Sequence, residues 1–149
     1  MLQIFRQNYF INSLLLLPYS LILSLDSFIK SSPVTEFEGS PLYELLFGWA
    51  HSNPLVSASL ATFMIFIEAV MVNRLAIKHR LSRITSLIPG VFYIIIMNAL
   101  PEVRGMHPLI AANFFALLFL LNTFPIIRLY DTQKLIFNMG FFAIFSTFL

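Results

Sequence analysis

Glu68 has the most chemical reach of any residue in this sequence, set in the run Phe63-Met64-Ile65-Phe66-Ile67-Glu68-Ala69-Val70. A charge deep in hydrocarbon costs roughly 2.5 to 3.5 kcal/mol on insertion scales, so an acid here is expected to be protonated or paired. It reads either as a proton- or ion-handling group or as a neutral clasp to another helix or subunit. Asn98, Asn113, Asn122 and Asn138 place amides in other apolar stretches. Amides in such surroundings hydrogen-bond across helices for about 1 kcal/mol each, so they read as structural glue before they read as a polar transport route.

A second group comprises Asp26, Glu36, Glu38, Glu44, His51, Glu102 and His107. Their spacing lacks a metal signature such as His-Glu-x-x-His, and solvated acidic loops account for them, so no metal is expected. Asp26 stands apart. It ends the first apolar segment ahead of a long loop, an arrangement analogous to membrane glycosyltransferases that use lipid-linked sugars. Asp26 and Glu68 are therefore the two catalytic candidates. A third group, Arg74, Lys78, Arg80 and Arg83, is suited to phosphates, of which lipid headgroups are the ordinary source. Gly-rich phosphate loops, a Gly-x-Ser-x-Gly elbow and kinase motifs are all missing, and no cofactor is implied.

The elements that must position these residues follow from composition. Of 149 residues, 58% are hydrophobic and only 11% charged, with 17 Phe and a mean hydropathy of +0.84; a soluble domain carries roughly 25% charged residues. One water-facing core of this size cannot hide so many apolar side chains. Long Leu/Ile/Phe/Met runs without strict alternation exclude barrel strands and predict an all-α, polytopic helical membrane protein with a lipid bilayer as its solvent. The absence of cysteine rules out disulfides and thiolate ligands. A net charge of +2 gives no reason to expect nucleic acid as a partner.

About five transmembrane helices are predicted, over residues 9–25, 54–72, 84–100, 108–127 and 134–149, forming one helical membrane domain. The last is expected to be cut short, with more chain beyond it. Within the loop after the first span, Ser40 as cap and Pro41 at the first helical position predict a short helix with Leu42, Leu45, Leu46 and Trp49 on one face. Such a helix suits the membrane interface, with Tyr43 and Trp49 at headgroup depth. Ser57 with Ala61, and Ala58 with Thr62, offer small residues for close helix approach. Arg6, Arg74, Lys78, Arg80, Arg83, Arg128 and Lys134 fall on one side of these spans, against Lys30 and Arg104 on the other. That asymmetry predicts a cytoplasmic N-terminus.

Four stretches carry a resemblance: Ile4-Phe5-Arg6-Gln7-Asn8, Pro41-Leu42-Tyr43-Glu44-Leu45-Leu46-Phe47, Val72-Asn73-Arg74-Leu75 with Lys78-His79-Arg80-Leu81, and Ile136-Phe137-Asn138-Met139-Gly140-Phe141. They resemble an uncharacterised family of bacterial polytopic inner-membrane proteins, known only as a domain of unknown function and about twice this length. The resemblance implies that this chain is the N-terminal half, with further spans after Leu149, and an uncharged Gln where this chain has Glu68. It implies a setting in the bacterial inner membrane and no catalytic residues. The expectation that follows is a subunit or assembly partner of a membrane complex rather than an enzyme. A lipid-linked-sugar enzyme working through Asp26 and a proton-coupled transporter working through Glu68 are the alternatives.

Overall fold

The computed structural model describes residues 13–29, 40–78, 87–100, 105–126 and 132–148, and among these the protein is all-helical. Its elements are α1 (Leu16–Leu23), α2 (Leu25–Ile29), α3 (Pro41–His51), α4 (Pro54–Lys78), α5 (Ile88–Ala99), α6 (Pro108–Ile126) and α7 (Thr132–Phe148). At 1.5 Å per residue, α4 is roughly 37 Å long and exceeds the roughly 30 Å of a bilayer's hydrocarbon. It is the one helix among the described residues that is long and apolar enough to cross a membrane by itself.

Local chemistry sets the helix starts. Ser40 caps α3 by accepting the Tyr43 N–H at 3.3 Å, and Pro41 occupies the first turn, where its missing N–H costs nothing. Asn53 accepts the Leu55 N–H at 3.1 Å ahead of α4, and the His107 Nδ1 accepts the Leu109 N–H at 3.1 Å ahead of α6. Ser40 also donates to the Phe148 carbonyl, which brings the start of α3 beside the last turn of α7.

α4 is the hub against which α1, α2, α3, α5 and α6 all lie, with α7 packed along α6. Its inward stripe is small: Ser57, Ala58, Ala61, Thr62, Ala69 and Ala76 are all buried. Small residues let neighbouring backbones approach closely. The central core joins Leu16 of α1, Ala61, Ile65 and Ala69 of α4, Ile94 and Met97 of α5, and Ile110 of α6. On α6 and α7, Phe115 stacks with Phe142 and Phe145, at ring separations of 6.4 and 5.1 Å. Outward, the helices carry large apolar side chains, among them Ile22, Phe63, Phe92, Ile96, Phe137 and Ile144.

Several details differ from expectation. α4 runs six residues past the predicted end at position 72, because Asn73 and Arg74 sit within the helix; Asn73 is bonded inward and Arg74 is exposed. Asp26 lies on helix α2 rather than opening a loop. Tyr43 turns into the bundle rather than outward with Trp49. Its ring is buried, while Leu45 and Trp49 on the opposite face of α3 are 79% and 62% exposed.

Candidate functional site

The middle of α4 holds the most concentrated polar chemistry. Glu68, fifteenth of the 25 residues in α4, is fully buried. The Tyr93 hydroxyl of α5 donates to Glu68 Oε2 at 2.5 Å, and the Tyr93 oxygen in turn accepts from Asn113 Nδ2 of α6. Three helices thus each supply one member of a continuous array. Glu68 Oε1 is buried and has no hydrogen-bond partner, and among the described residues no basic group pairs with the carboxyl.

One and a half turns further along α4, Asn73 makes a second contact with α5. Its Oδ1 accepts the Gly90 N–H at 2.8 Å, and its Nδ2 is buried without a partner. Gly90 lies in the first turn of α5, where N–H groups have no partner inside the helix, and Leu87 ahead of it offers no side-chain cap. Asn73 therefore caps α5 from a neighbouring helix. The contact requires glycine: a Cβ at position 90 would lie 2.7 Å from Asn73 Nδ2 and 2.9 Å from the Ala69 carbonyl oxygen.

The third cluster lies where α3 meets the segment preceding α6. The backbone of Met106 is held on both sides, its N–H by Ser57 Oγ at 2.8 Å and its carbonyl by the Tyr43 hydroxyl at 2.8 Å. Burial pushes the Tyr43 hydroxyl well above its ordinary range, so it remains a neutral donor. Its single proton is committed to Met106, so the 3.0 Å contact with His51 Nε2 is an N–H donated by the imidazole. His51 Nδ1 is buried without a hydrogen-bond partner among the described residues.

The remaining candidates distribute as follows. Asn98 accepts from Ser24 Oγ at 3.0 Å, joining α5 to the turn between α1 and α2. The Asn122 amide folds back onto the Leu118 carbonyl of its own helix at 2.8 Å, and among the described residues no bond from it to another helix is present. Asn138 is exposed on α7. Asp26 is exposed on α2, and it does not join Glu68 in a cluster: among the described residues no three His, Cys, Asp or Glu side chains come together. Arg74 is exposed near the end of α4; the Lys78 side chain, Arg80 and Arg83 lie outside the described residues, as do Glu36, Glu38 and Glu102.

Sequence reasoning missed Tyr93, Asn73 and Gly90 as members of polar contacts. Tyr93 carries no local signal, since its partners stand 25 and 20 positions away. Gly90 did carry one, because a glycine inside a helical pattern often marks a close approach. No protein-family model matches the chain, and neither the curated proteins nor the solved structures compared with it give a match.

Proposed function

We propose that this chain is a polytopic helical protein of the bacterial inner membrane, crossing it about five times, that serves as a subunit or assembly partner of a membrane complex. The observation carrying the reading is the placement of polarity. Glu68, Asn73, Ser57, Thr62, Ser20 and Ser24 are buried, while Ile22, Phe63, Phe92, Ile96, Phe137 and Ile144 face outward. In water, each such outward side chain would forgo roughly 1.5 to 3 kcal/mol of burial. In lipid that cost disappears, and the buried polar groups become the means by which helices recognise each other.

The alternation of helix ends supports the same reading. The bond from Ser40 to Phe148 and the clamp on Met106 gather the start of α3, the segment before α6 and the end of α7 at one end of the bundle. Five antiparallel crossings with an N-terminus on the inner side put all three on the outer side. α3, with Leu45 and Trp49 outward and Tyr43 inward, suits a helix lying along the outer interface. α6 and α7, at roughly 28 and 26 Å, fall slightly short of the hydrocarbon thickness, a mismatch that bilayers absorb by thinning.

The subunit role rests on what the polar groups are engaged in. Glu68, Asn73, Asn98 and Asn113 each bond to a side chain or backbone group of another element of this same chain, which makes them clasps. Extraction of native membranes in mild detergent should yield the chain in a complex of fixed stoichiometry, measured by native mass, and that complex should survive Glu68→Gln. Recovery as a lone monomer across mild detergents would reject the subunit role.

A further inference from the structure

The array of Glu68, Tyr93 and Asn113 does more geometrically than a clasp requires. A clasp between α4 and α5 needs one acceptor, and Glu68 Oε2 supplies it. Oε1 is left buried and unpartnered, in a side chain with 0% exposure. From this geometry we infer that Glu68 is a proton-binding site within the membrane, taking up and releasing a proton at Oε1 while Tyr93 and Asn113 hold the carboxyl in place. This goes beyond the subunit role and rests on the membrane reading above.

The hydrogen-bond chain fixes where the proton goes. The Tyr93 proton is engaged with Oε2 and its oxygen lone pair with Asn113 Nδ2, so neither bond must break when the carboxyl changes state. Uptake adds one proton from the aqueous phase to Oε1, and the carboxylate becomes the neutral acid. Release is the reverse, with water taking the proton. Two influences oppose each other here. The hydroxyl donated by Tyr93 favours the anion, and complete burial, without a cation beside the carboxyl among the described residues, favours the acid. Tyr93 from α5 is the titratable group in contact, α6 contributes the Asn113 amide, and Tyr19 of α1 packs on the adjoining core.

The same count of lone pairs selects a proton over a metal cation. A hard cation needs several converging oxygens. Here one oxygen, Oε1, is free, and among the described residues no group of metal-binding side chains forms.

Dicyclohexylcarbodiimide, an apolar reagent that reacts with protonated carboxyls, tests this on the chain in native membrane vesicles, with the modified peptide found by mass spectrometry. Labelling at Glu68 is expected to fall at least tenfold as pH rises from about 5 to about 9, spanning the range in which shifted carboxyls titrate. Sodium ions should not protect. Tyr93→Phe, which removes the donor bond to the anion, should remain labelled to higher pH than the unaltered chain. No labelling at any pH, pH-independent labelling, or protection by sodium would each overturn the proposal, and all three are read on the unaltered chain. Failure of the membrane reading looks different: the chain would then be recovered folded from the aqueous fraction, without lipid.

Discussion

At the scale of single residues, close contacts leave little room for exchange, and Gly90 is the plainest case. Alanine ordinarily gains about 1 kcal/mol over glycine inside a helix. At position 90 its methyl would meet the backbone oxygen of Ala69 at 2.9 Å, and that atom belongs to a helix backbone and yields little. Overpacking of this kind costs roughly 1 to 3 kcal/mol, and the lost bond from Asn73 adds to it. Gly90→Ala should therefore lower the thermal midpoint of the detergent-solubilised protein; an unchanged or raised midpoint would show that α5 is free to shift away from α4. Glu68 was legible in the sequence, because a lone acid in an apolar run stands out by type alone. Its partner was not, because a tyrosine in an apolar segment has many ordinary explanations, and which turn of α5 faces Glu68 depends on packing between helices.

At the scale of elements, the sequence identified helices well and their orientation about their own axes less well. Apolar runs bounded by Pro54, Pro108 and the cap at Ser40 mark α4, α6 and α3 directly, since these residues act through local geometry. For α3 the apolar face of Leu45 and Trp49 was legible, but the inward side was not: the partner of Tyr43, Met106, stands 63 positions away and leaves no local signal. The bond between them is one of the attachments of α3 to the remainder of the bundle, and it has a pH signature. Tyr43 holds its proton more tightly in the fold than in the unfolded chain, so its contribution is intact below about pH 10, the ordinary tyrosine value, and is lost as pH rises beyond it. The sign follows from the folded state binding more protons than the unfolded one in that range. Tyr43→Phe should cost roughly 1 to 3 kcal/mol at neutral pH, through the unpaired Met106 carbonyl, and should reduce the alkaline loss of stability. Melts from about pH 7 to about pH 11 check both arms, and identical alkaline slopes for the two proteins would remove Tyr43 from the account.

At the scale of the whole molecule, one arrangement links the outward apolar side chains, the inward polar ones and the distribution of arginine and lysine. The proposed orientation, read from charge asymmetry, would put Arg74 and Lys78 on the inner face, and the helix contacts gather Ser40, Met106 and Phe148 at one end of the bundle. Those two lines of reasoning share no residues, yet they agree on which ends of α4, α6 and α7 lie together. These 149 residues contain no cysteine, so a single thiol introduced among them reports its own position without background from its neighbours. Ser52→Cys and Gly105→Cys should react with a membrane-impermeant maleimide on intact cells, whereas Lys78→Cys and Thr132→Cys should react only once the membrane is opened. The reverse pattern would invert the orientation and leave the number of crossings standing. Reaction of all four on intact cells would place both ends of α4 in the same compartment, and a helix roughly 37 Å long with its two ends on one side does not span the bilayer.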